Sequence, residues 1–92
     1  MRHIIICYDL KTPGKDYRSL INMIETIGSG TWAHLQDSVW YIKTTFTASE
    51  IVKRLRPCID TNDNLFAVEI ASFDAVNLDA KFITHLRRMG LL

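Results

Sequence analysis

Long apolar runs are missing from this chain. The longest, Ile4–Tyr8, is far short of the ~20 residues that cross a bilayer, so no membrane span is expected. Only Met1-Arg2-His3 precede it and Asp9 follows it, which is too little for a secretory leader. Cysteine is scarce. Cys7 and Cys58 make no disulfide framework, and with the scattered His3, His34 and His85 they give no zinc-ligand spacing. An excess of one charge sign is also lacking: 11 basic against 10 acidic residues leave +1. That balance argues against a strongly basic nucleic-acid module, and a charged fraction of 23% argues against a disordered chain. No repeat, linker or low-complexity stretch appears, and no Ser/His/Asp spacing. Gly28-Ser29-Gly30 follows a helical pattern instead of opening one, so it is no phosphate loop. What remains is a single domain, residues 1–92, 48% apolar and expected in the cytoplasm.

The elements that are present have a clear order. Residues 3–8 hold the apolar run, with β-branched Ile4, Ile5 and Ile6, which predicts a central strand buried on both faces. Lys11-Thr12-Pro13-Gly14-Lys15 is turn chemistry and ends it. Tyr17, Leu20, Ile21, Ile24 and Ile27 recur at helical spacing, with Asp16 available as N-cap and Gly28-Ser29-Gly30 as the stop. Thr31–Gln36 and Val39–Thr45 read as two strands around Asp37-Ser38, joined by a tight turn or meeting at a bulge. Thr47 and Glu50 stand at capping-box spacing before Ile51, Val52 and Leu55, and Pro57 closes that second helix. Leu65–Ala71 is a fourth strand with Phe66, Val68 and Ile70 on one side. A terminal helix opens at Asn77 or Leu78 and runs to Met89, with Arg87 and Arg88 in its last turn.

This order, βαββαβ plus a tail helix, is the ferredoxin-like α+β pattern. Its antiparallel sheet has the first and third strands in the centre and two helices on one face. Such a sheet should alternate cleanly, yet the first strand is apolar on both sides. The third is nearly so, with Val39 and Tyr41 on one side and Trp40 and Ile42 on the other. The second face therefore needs a cover, either the tail helix folding back or the same face of a second subunit. A homodimer joined through its sheet faces is the expectation.

Asp9 is the most informative polar residue, a carboxylate at the end of a buried strand. Two such carboxylates brought together by a twofold axis could hold Mg²⁺, which takes a few carboxylate oxygens and keeps its waters. The alternative is an Asx-type turn capping the Lys11–Lys15 loop. Lys11, Lys15, Arg18 and Lys43 are possible phosphate contacts, although such numbers also suit a solvated surface. Lys53-Arg54-x-Arg56 complements the dipole of the second helix. Tyr8, Trp32, Trp40 and Tyr41 suggest base stacking on the first and third strands, as in single-stranded RNA modules, but the hallmark motif is absent from Val39–Thr45 and core packing explains the rings. Cys7 reads as a core residue.

Ile4-Ile5-Ile6-Cys7-Tyr8-Asp9-Leu10, the helix ending at Gly28, Asp37-Ser38-Val39-Trp40-Tyr41-Ile42 and Ile59-Asp60-x-x-Asp63-x-Leu65-x-x-Val68 occur in this order. Over roughly residues 3–72 they resemble the CRISPR-associated "Cas two" superfamily (Cas2-like). The opening Tyr8-Asp9-Leu10-Lys11-x-Pro13-Gly14 and Thr47-Ala48-x-Glu50-Ile51 are similar to a stand-alone branch of it. The resemblance implies a ferredoxin-like homodimer, with Asp9 of each subunit at a central cleft. In nuclease members that pair holds a divalent metal for hydrolysis of RNA or DNA. In CRISPR adaptation complexes the dimer is a DNA-binding scaffold. Virulence-associated protein D toxins, which cut RNA, are further relatives. Where the family's second strand commonly opens with a basic residue this chain has Thr31-Trp32, and where its fourth strand often carries Arg it has Phe66-Ala67. With a charge of +1, these departures argue against gripping duplex DNA. The implied function is therefore a metal-dependent endonuclease in which Asp9 ligates Mg²⁺ and Lys11, Arg18 and Lys43 contact phosphate. The alternative is a catalytically inactive dimeric binding or scaffold protein for nucleic acid or a protein partner.

Overall fold

A computed structural model describes residues 1–12 and 14–92; Pro13, part of the turn expected at 11–15, lies outside them. The described chain is α+β. Its elements are β1 (Arg2–Asp9), α1 (Arg18–Gly28), β2 (Trp32–Gln36), β3 (Val39–Thr44), α2 (Ala48–Leu55), β4 (Asn64–Glu69) and α3 (Ala80–Arg88). The strands form one antiparallel sheet in the order β2-β3-β1-β4, so the two most apolar strands are central.

Strand alternation divides the core in two. Ile4, Ile6 and Tyr8 of β1 and Trp40 and Ile42 of β3 face α1 and α2, where they meet Leu20, Ile24, Ile27, Ile51 and Leu55. Ile5, Ala33, Leu35 and Tyr41 face the other way, against Leu86, Met89, Phe82 and Leu78 from the tail. The tail helix thus folds back over the second face, on the β2-β3 side. Its reach stops short of β4, where Phe66 is 56% and Val68 42% exposed. A second subunit is the cover expected for this face; the tail helix, the other candidate, supplies part of it within one chain instead.

Local chemistry fixes the ends of the elements. α1 starts after Tyr17, and Asp16 Oδ1 accepts from the Arg18 amide at 2.9 Å without being the cap residue itself. Its last residue, Gly28, is required by a close approach: a Cβ there would lie 3.0 Å from the Trp32 Cβ. Ser29 then takes the left-handed conformation at φ 48° that closes the helix. The Asp37-Ser38 turn and a bulge between His34 and Gln36 are both present in the hairpin. Thr47 and Glu50 form the full capping box, while Pro57 sits in a 3₁₀ turn, Arg56–Cys58, that prolongs α2. α3 opens later than the 77–89 expected. Asn77 has φ 62°, which cannot begin a right-handed helix, and Asp79 caps it by accepting from the Lys81 amide at 3.0 Å.

Candidate functional site

Asp9 ends β1 opposite Asn64 of β4, on the same side of the strand as Ile5 and Cys7. Its side chain is 60% exposed, and its Oδ2 lies 2.5 Å from the Lys11 ammonium. The turn-capping role considered for Asp9 belongs to another carboxylate. The Lys11 amide donates to Asp63 Oδ1 at 2.7 Å. Asp63 also accepts from the Asp60 amide at 2.8 Å and from the Tyr17 hydroxyl at 3.0 Å, and it is buried. One side chain therefore ties the loop after β1, the entry to α1 and the loop before β4 into one unit. The Lys11 amide bond, helped by the Asp60 amide, the Tyr17 hydroxyl and the Lys15 charge, holds the Asp63 carboxyl below its usual range. Lys15 ties down the same loop from its far side through Asp60 Oδ1, and this hydrogen bond raises the Lys15 pKa.

The four residues named from the sequence do not converge. Asp9 and Lys11 are in contact. Arg18 opens α1, fully on the surface, with its guanidinium 3.7 Å from Asp16. Lys43 pairs with His3, six residues from Asp9 along β1, roughly 20 Å at the rise of a strand. It therefore cannot touch a phosphate held at Asp9 of its own chain. Among the described residues no group of three or more His, Cys, Asp or Glu side chains could hold a metal ion. Asp63 is the residue that sequence reasoning missed as a site-builder. Its signal was the spacing Ile59-Asp60-x-x-Asp63, legible as a motif but not as a set of bonds.

Tyr8, Trp40 and Tyr41 are committed to the fold. Tyr41 is 0%, Trp40 1% and Tyr8 9% exposed, and the Trp40 indole donates to the Tyr8 hydroxyl at 3.0 Å. Base stacking on these strands is thereby ruled out. Burial raises the Tyr41 pKa to about 12, and its hydroxyl shares a 2.6 Å hydrogen bond with His3 Nδ1. Burial likewise pushes the Cys7 thiol up, away from the reactive thiolate. Of the basic cluster, Arg54 stacks over the Phe46 ring at 4.0 Å. Arg56 instead lines a hollow of about 480 Å³ with Val52, Ile59, Asp60 and Leu65. No helix of the described residues is long and apolar enough to cross a membrane. No family model, curated protein or solved structure matches the chain.

Proposed function

We propose that the chain is a Cas two-like protein of ferredoxin-like fold that works as a homodimer and hydrolyses phosphodiesters of RNA or DNA with a divalent cation. The order β2-β3-β1-β4, with β1 and β3 central, supports the fold assignment. The observation that carries the function is Asp9: an accessible carboxylate at the mouth of a central strand, followed by Lys11, whose amide Asp63 accepts. One chain offers a single carboxylate there, which fits a cation that keeps most of its waters only when a second chain adds its own. The half of the sheet beside β1 and β4 that α3 leaves open is the face through which two chains would bring Asp9 together.

In this mechanism Asp9 of each chain would hold the cation, which when bound would supply Lewis-acid activation of a phosphodiester and of a water. Lys11, released from Asp9, would neutralise a phosphate oxygen, with Arg18 as a second contact further out. Lys43 has no part in it within the same chain. The test is cleavage of RNA and DNA with Mg²⁺ and with chelator, for the wild type beside Asp9→Ala and Asp9→Asn. Loss of cleavage in both variants supports the mechanism, and undiminished cleavage in either ends it.

A second reading, a catalytically silent dimeric binding protein, is favoured by the Asp9–Lys11 ion pair, which already satisfies the carboxylate, and by the exposed Phe66 and Val68. Absence of cleavage on every substrate selects it.

A further inference from the structure

The two edges of the sheet are treated differently. β2 is defended: a bulge interrupts it between His34 and Gln36, α3 packs beside it, and the Trp32 carbonyl is taken by His85 Nε2 at 2.7 Å. These are the devices that keep an edge from recruiting another strand. β4 has a helix, α2, packed on one face as α3 packs on β2, but among the described residues it has no bulge and no side chain bonded to its outward backbone groups. It is a regular six-residue strand, Asn64–Glu69, with no proline, lysine or bulge, and it carries exposed Phe66 and Val68.

The direction of its free backbone groups follows from the ladder. The Ile70 amide donates to the His3 carbonyl at 2.9 Å, so His3 and Ile70 form a hydrogen-bonded pair. In an antiparallel ladder such pairs alternate, and with the β1–β4 register the groups of Asn64, Phe66 and Val68 turn toward β1. Those of Leu65, Ala67 and Glu69 turn outward. Among the described residues no side chain or loop bonds to them.

We propose that this edge pairs antiparallel with β4 of a second copy of the chain, about a twofold axis through Ala67. Only registers that match outward residues with outward residues keep side chains on consistent faces and close the ladder. The one centred on Ala67 sets Ala67 opposite its copy and Leu65 opposite Glu69, using all three outward residues of each strand. Phe66 then lies across from Val68 of the partner, twice, an aromatic–β-branched pairing of the kind that stabilises sheets. Glu69 is kept apart from its own copy, and its ion pair with Arg2 at 3.1 Å stays within its own chain.

This contact is made through the backbone groups of the strand edge, with Phe66 and Val68 flanking it on the open face; it leaves Asp9 untouched and does not rest on the nuclease proposal. It is small beside the ~1,200 Å² of a stable interface, so it dissociates on dilution.

Cross-linking and mass test it. In a Cys7→Ser, Cys58→Ser background, Ala67→Cys should oxidise readily to a covalent dimer, because facing residues in a hydrogen-bonded pair lie ~5.5 Å apart, within disulfide range. Leu65→Cys should not, being offset from its own copy by four residues. Ala67→Pro removes only an outward amide, so it should halve the mass of the largest species seen by light scattering while leaving far-UV circular dichroism unchanged. If Ala67→Pro unfolds the chain, the relative oxidation rates of Ala67→Cys and Leu65→Cys decide the matter, faster cross-linking of Ala67→Cys being the expected result. A wild type that is monomeric at every concentration, or Leu65→Cys cross-linking as fast as Ala67→Cys, would overturn the proposal. An Ala67→Pro variant that folds and keeps its full mass would place the contact on the face instead, and would equally overturn it.

Discussion

Leu86→Ala tests how the tail helix is held. Leu86 is fully buried and sits with Met89 over Ala33 and Tyr41. The substitution removes three carbon groups from this contact, about 2.4 kcal/mol at ~0.8 kcal/mol each. The cavity left behind adds to that, and measured Leu→Ala costs in cores span ~2–5 kcal/mol. A domain of this size has roughly 5–15 kcal/mol in all, so the fold should survive with visibly lower stability. The loss is also expected to be local. α3 is a nine-residue helix, too short to stand alone in water, so weakened docking lets it fray as a unit while the sheet stays paired. Urea titration gives the total loss, and amide exchange gives its location. Amides of α3 should lose protection and those of β1 and β3 should keep theirs. A loss below ~0.5 kcal/mol, or uniform deprotection of the whole sheet, would refute the picture of a separately docked cover.

Two further outcomes follow from the ionisable groups. Tyr41, with its pKa raised to about 12 by burial, and Tyr8, raised in the same direction and first by burial, both favour the protonated form when folded. Their contribution is complete below the ordinary tyrosine value near ~10. It is lost as pH rises through the folded-state values, so denaturant midpoints should fall between about pH 10 and 12. Tyr41→Phe should flatten that fall, and an unchanged alkaline limb would contradict the assignment. Asp63 behaves oppositely: its lowered pKa means stability that is present above the ordinary carboxylate value and lost as pH falls through the lower folded one. Asp63→Asn should therefore lower stability at neutral pH and narrow its gap from the wild type in acid, read from thermal midpoints at both pH values.

Much of the fold was legible because local rules and tertiary packing agreed. The apolar run of β1 predicted a strand covered on both sides, the Thr47–Glu50 spacing predicted a cap, and both are found. The tail helix alone could not be apportioned between folding back and yielding to a partner, since an apolar stripe such as Leu78, Phe82 and Leu86 fits either sheet face. The site was less legible. Lys43 carries the right charge, but only the β1–β3 register shows that it lies at the wrong end of the sheet. Asp63 looks like any loop aspartate until three donors from distant positions, the Lys11 and Asp60 amides and the Tyr17 hydroxyl, meet on it. Such convergence belongs to the fold and leaves no periodic trace in the chain.

The proposed sharing of one cation by the Asp9 carboxylates of two chains is open to direct measurement. Calorimetric titration of the wild type with Mg²⁺, beside Asp9→Ala, measures it directly. One ion bound per two chains, and none at that site in Asp9→Ala, is the predicted result. One ion per chain, or binding that survives the substitution, would contradict it.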